Sequence, residues 1–171
     1  MTSPRTLYLR MAIGVLALVG LLVATYLALY ETGLSGSLVC PNTGCEQVNE
    51  SAYVGMFLIP IGVLGVIGYT LILAVVLGWT TRRNLAGGAT SRPPAWAARA
   101  PWAFNVLSRI PVGLVLIGLA GFGFLFSLFL TYLELFVILA ICTWCMISAG
   151  LMTVLLALAL WAWFAEREVS P

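Results

Sequence analysis

Four long runs without a single charged residue constrain this chain more than anything else in it. A helix needs about 20 predominantly apolar residues to cross a bilayer. The stretches Met11–Tyr30, Met56–Trp79, Pro111–Leu133 and Leu139–Phe164 all reach that length. The residues between them cannot offset so much apolar surface: 62% of the chain is hydrophobic and 8% charged, mean hydropathy is +1.08, and there is no lysine or histidine. The first run is too long for the core of a signal peptide and lacks a small-residue cleavage site, so it counts as a span. The expected fold is an all-α integral membrane protein, a single domain over residues 1–171 built as a bundle of four transmembrane helices.

Arginine placement sets the expected orientation. Arg5 and Arg10 precede the first span. Arg82, Arg83, Arg92, Arg99 and Arg109 separate the second from the third, and Arg167 follows the fourth. All of them fall on one side, which the positive-inside rule makes cytoplasmic. The other side carries Glu31, Glu46, Glu50 and Glu134 and no cation. Both termini are therefore expected in the cytoplasm, with the chain in the cell (inner) membrane. Residues 80–110, with Pro93, Pro94, Pro101 and a Gly87-Gly88 pair, read as a cytoplasmic tether. Their AWAARAPWAF stretch has the tryptophans and arginine that favour the headgroup level.

The cysteines all fall on or near the opposite, oxidising face. Cys142 and Cys145 form a C-x-x-C in the first turns of the last helix, and Cys40 and Cys45 sit in the outer loop, residues 31–55. Side chains three apart on a helix share a face, with Cβ atoms roughly 5 to 6 Å apart, close enough to bridge after local adjustment. A helix N-terminus favours an anion, so one sulfur of the pair is expected to be a stabilised thiolate, as thiol–disulfide exchange requires. In the loop, Pro41, Asn42 and Gly44 supply the turn that brings Cys45 back toward Cys40. So short a closure adds little stability, which fits a shuttle better than a staple.

Other uses of four cysteines stay open on spacing alone. Two structural disulfides in a small membrane subunit is one, and a four-cysteine zinc site is another, although only one half has the C-x-x-C knuckle. Haem would lack a histidine ligand. The spans contain no ionisable residue of the kind that ion or proton pathways use. Their hydroxyls, among them Thr25, Tyr26, Tyr69, Thr70, Ser127, Thr131 and Tyr132, read mostly as helix-packing groups. A mostly apolar bundle with a sulfur pair at one end suits a hydrophobic redox ligand such as a quinone, held between helices next to Cys145. No metal is expected.

The loop CPNTGCEQVNES, the IPIGVLGVIGYTL that follows it and the YLELFVILAICTWC of the last helix together resemble the vitamin K epoxide reductase family, in its bacterial branch. The resemblance runs from the first span through the fourth. It implies a four-helix bundle around a quinone of ubiquinone, menaquinone or vitamin K type. It also implies a relay in which Cys40 meets a thioredoxin-like or DsbA-like extracytoplasmic protein, Cys45 passes electrons to Cys142, and Cys145 faces the quinone. Ser51 matches the family's hydroxyl residue near that pocket. Only AEREVSP follows Phe164, so the thiol partner is expected to be a separate polypeptide. The reading MISAGLM after the C-x-x-C departs from the animal enzymes' Thr-Tyr-Ala stretch, which favours quinone reduction over epoxide chemistry. The DsbB-type quinone-linked oxidases also have four helices and two cysteine pairs, but in the reverse order. Val48 and Ala52 at helical spacing, with Glu46 and Glu50 opposite, predict a short amphipathic helix over Cys45 to Tyr53, a lid carrying Ser51.

Overall fold

The computed structural model describes residues 4–34, 39, 44–49, 60–86 and 112–168. Among these, the α-helices in chain order are α1 (Pro4–Glu31), α2 (Gly44–Asn49), α3 (Ile61–Ala86), α4 (Val112–Tyr132) and α5 (Thr143–Glu168). A π-helix, Leu133–Ile138, continues directly from α4. Four segments are long and apolar enough to cross a membrane: Tyr8–Glu31, Ile61–Gly78, Val112–Ile138 and Thr143–Ala165. The protein is an all-helical, multi-pass membrane protein.

The sequence forms helices here because lipid offers the backbone no partner, so each segment must satisfy its own N–H and C=O groups. Prolines stand at the starts, Pro4 opening α1 and Pro60 preceding α3, where a missing N–H costs nothing. The helices are apolar on all sides, and large side chains such as Leu22, Phe122 and Trp161 lie on the outside, where lipid would meet them.

Small residues let the helices approach. Ala17 and Ala24 of α1 are buried against the core formed with Tyr69, Ile72 and Val76 of α3 and Leu155 and Ala159 of α5. The Tyr69 ring lies directly over Gly20, where a Cβ would overlap it. The crossing from α1 to α3 is fixed by a side chain as well: Gly62 N–H donates to Glu31 Oε2 at 2.7 Å. A carboxylate at the end of α1 thereby serves an orphan donor of the α3 N-terminus. α1 packs along α3 and α5, α4 packs along α5, and α3 and α4 meet more loosely.

Several boundaries differ from the sequence reading: α1 begins at Pro4 rather than Met11 and α5 runs on to Glu168. α3 continues to Ala86, so the first residues assigned to the tether are helical. The third span does not stop at Leu133 but runs through the π-helix to Ile138, and α5 begins at Thr143 rather than Leu139. The reversal uses Leu139 in the left-handed conformation (φ 55), with its N–H and that of Ala140 both donating to Glu134 O. Apolar letters on both sides of this reversal hid it from composition. As a consequence Glu134, expected on the wet outer face, is buried at 3% exposure within the third span. The expectation that the spans hold no ionisable residue is corrected accordingly.

Candidate functional site

Cys142 is the last residue before α5, and its backbone and sulfur act as the cap. Its carbonyl accepts the Met146 N–H at 3.0 Å and its Sγ receives the Cys145 N–H at 3.4 Å. Sulfur stands where Ser or Asp usually caps, facing the positive end of the helix dipole. Cys145 sits in the first turn. The two are free thiols, Cys142 fully buried and Cys145 partly so. The Cys142 thiol is held below its ordinary value, first by the hydrogen bond from the Cys145 side chain and then by backbone N–H groups, against burial and the nearby Glu134, which both push the other way.

Glu134 reaches this pair from the π-helix. Its Oε2 accepts the Cys142 N–H at 3.1 Å, and the Cys145 side chain is a further hydrogen-bonding neighbour. A π turn shifts the residues before it relative to those after it, as such insertions do at functional sites. Here the shift brings an acid eight residues upstream onto the C-x-x-C. The signal was present in the sequence as the lone charge in YLELFVILAIC, but it reads as a loop residue unless the helix is known to continue past it.

Val39 and α2 are fastened over the same end. Cys45 is disulfide-bonded and fully buried, in one cluster with Cys142, Val48, Leu27 and Ala140. Gly44, opening α2, lies against the Ile141 carbonyl so closely that a Cβ would overlap it. Val39 is clamped on both sides: its N–H donates to Tyr26 Oη at 2.8 Å and its carbonyl accepts the Trp144 indole N–H at 3.0 Å. Those two rings meet edge to face at 5.3 Å. Tyr26 and Trp144 were not among the predicted site residues; Tyr26 read as a packing hydroxyl. Only the fold brings them to the residue next to Cys40.

Inside the bundle, the loose seam between α3 and α4 leaves a cavity of about 340 Å³. Cys145 and Glu134 line one end of it, with Tyr69 and Ser148 joined by a 3.0 Å hydroxyl contact on its wall. The remaining wall is mostly apolar, with Leu64, Leu119 and Phe126 contributing beside the hydroxyl residues Ser127 and Thr131. Ile67, Leu71 and Phe122 border the cavity and also lie on the outer surface, so it opens toward lipid.

Of the predicted site residues, the structure gathers Cys142, Cys145 and Cys45 at one end of the bundle. Cys40 and Ser51 lie outside the described residues, as do residues 50–53 of the predicted lid, of which α2 accounts for Gly44–Asn49.

Membrane-spanning helices with a free C-x-x-C pair packed beside a disulfide cysteine, and with one of the pair and a carboxyl group on the wall of a cavity, make a framework for membrane thiol–disulfide chemistry. The sequence model of the vitamin K epoxide reductase family matches residues 11–160, most of the chain, and the chain belongs to that family. It is therefore a membrane oxidoreductase of disulfides, from a family whose enzymes use quinones. No curated protein matches the chain.

Proposed function

We propose that the protein passes electrons from a thioredoxin-like extracytoplasmic protein through Cys40 and Cys45 to Cys142 and Cys145, and on to a quinone, so that disulfides are made in the partner. The observation that carries this reading is the position of Cys145: it shares a first helical turn with the buried Cys142 and also lines the lipid-facing apolar cavity.

The cavity fits a quinone on its own terms. It is large enough for a small ring, mostly apolar, open toward the phase in which an isoprenoid tail dissolves, and carries a few convergent polar groups, which is the pattern of a ligand site. Ser148 and Tyr69 would hold the ring's oxygens, Phe122 and Phe126 its faces. When bound, a quinone supplies a two-electron acceptor.

The chain's own residues do the rest. A reduced partner attacks Cys40, releasing Cys45 as a thiolate. Cys45 then attacks the sulfur of Cys142 in a Cys142–Cys145 disulfide, an in-line exchange for which shared burial is the prerequisite. Cys145 leaves with the electron pair at the wall of the cavity. The capped sulfur of Cys142 and the clamped loop hold the exchange geometry and keep water out.

The test is reconstitution with a quinone and a reduced thioredoxin-like protein, following quinone absorbance. Cys145→Ala should abolish quinone reduction by any donor, because the sulfur at the cavity is gone. Cys40→Ala should stop oxidation of the protein partner yet keep turnover with a small permeant dithiol, and should accumulate a Cys45–Cys142 disulfide. Full dithiol-driven reduction by Cys145→Ala would overturn this division of roles.

A further inference from the structure

The relay accounts for every sulfur but leaves Glu134 without a task. A carboxyl at 3% exposure, within a span and in an apolar bundle, is costly to keep. It touches both halves of the thiol pair, accepting the Cys142 N–H at 3.1 Å and neighbouring the Cys145 side chain, and with Cys145 it lines the cavity. Among the described residues, the other groups near it are few. α5 contributes Cys142, Cys145 and Ser148, α3 contributes Tyr69 across the cavity, and α2 contributes Cys45, which is tied up in its disulfide. Glu31 at the end of α1 is engaged by Gly62 N–H. Arg10 and Arg167 belong to the opposite end of the bundle.

We propose that Glu134 is the catalytic proton acceptor for the Cys145 thiol, taking its proton as the Cys142–Cys145 disulfide closes and holding it at the wall of the cavity. This rests on the reading of the pair as a redox dithiol that serves a quinone. The accounting is complete. A Cys142 thiolate and a Cys145 thiol give one S–S bond, an electron pair and one proton. The pair of electrons goes to the quinone and the proton to the Glu134 carboxylate. The Cys142 proton has left beforehand, so the dithiol gives up two electrons and two protons, the number a quinone takes to be fully reduced.

Closure can be watched without any quinone. A small aromatic disulfide, dipyridyl disulfide, first forms a mixed disulfide on the Cys142 thiolate. Cys145 then attacks that sulfur, expelling a second thiopyridone, whose absorbance reports the rate. Here too the Cys145 proton must go somewhere, and the thiopyridone leaves as the reduced product. Glu134→Gln keeps an oxygen for the Cys142 N–H but cannot take a proton. It should slow closure by about 10²-fold and remove the acid limb that levels off once a carboxylate base is ionised, leaving only the steady rise with pH of a thiol that ionises unaided. Glu134→Asp should keep that pH limb at a reduced rate, and it serves if the Gln variant does not fold. A merely structural Glu134, acting as a hydrogen-bond acceptor, predicts that Gln closes like wild type. That result, or an Asp variant without the pH limb, would overturn the proposal. Wild-type protein that closes normally but never reduces a quinone would instead overturn the quinone reading, with the closure rates still deciding the role of Glu134.

Discussion

Cys142 and Cys145 are three residues apart, yet their surroundings differ. Cys142 is the helix cap, fully buried beside the disulfide-bonded Cys45, while Cys145 reaches the cavity. Because the Cys142 thiol is held below its ordinary value, first by Cys145, its thiolate persists as pH falls and is lost only when pH passes the lowered value. Site-resolved alkylation of the reduced protein with iodoacetamide should therefore show a midpoint for Cys142 below that of an unperturbed thiol, at about 8.5. Cys145→Ala should move this midpoint upward. An unchanged midpoint would mean that the helix end alone sets the acidity of Cys142. A lowered midpoint at Cys142 that depends on Cys145 would put the expected thiolate of the pair on that sulfur, which spacing alone does not assign.

At the scale of elements, two backbone approaches carry the site. Gly44 allows α2 to lie on the Ile141 carbonyl, one residue from Cys142. Backbone cannot yield as a flexible side chain can, so Gly44→Ala should lift α2 and with it Cys45. Turnover with the protein partner should fall by up to about 10²-fold, the usual cost of misplacing reacting groups by an ångström, while turnover with a small dithiol stays near wild type. Equal losses with both donors would show that the effect is not on the loop. The second approach is the turn after the π-helix. Leu139 has a positive φ and is 80% exposed, so its side chain contributes little packing there. A β-branched residue tolerates that backbone poorly, and Leu139→Val should destabilise the protein by about 1–2 kcal/mol. Leu139→Gly should be close to neutral, the relief of strain offsetting the added chain entropy of about 0.5–1 kcal/mol. Thermal unfolding in detergent, compared between the two variants, measures the difference.

For the whole molecule, the cysteine end and the arginine-bearing ends of the helices lie at opposite poles of the bundle. If the arginines face the cytoplasm, a membrane-impermeant maleimide added to intact cells after mild reduction should label Cys40, and Cys45 as reduction frees it from its buried seat. Labelling that appears only once the inner face is opened would reverse the orientation. The same polarity sets Cys145, on the wall of the lipid-facing cavity, far from the arginine-bearing ends of the helices.

The sequence by itself determined the class of the fold. Long charge-free runs can be buried only in lipid and can satisfy their backbones there only as helices, so Met11–Tyr30 and its three counterparts were legible without coordinates. It also marked where thiol chemistry is to be sought, in the C-x-x-C beside the last span and the second pair in CPNTGC. Tertiary structure decided what those residues touch. The π-helix and the left-handed Leu139 are backbone choices among uniformly apolar letters, which no period or composition marks, and they alone carry Glu134 out of the expected loop and onto the thiols. The clamp of Val39 by Tyr26 and Trp144 joins residues from three distant parts of the chain. The cavity exists because α3 and α4 pack less closely than their neighbours. Such long-range juxtapositions depend on how helices that are apolar on every side choose which faces to bury, and in lipid the hydrophobic pattern does not make that choice.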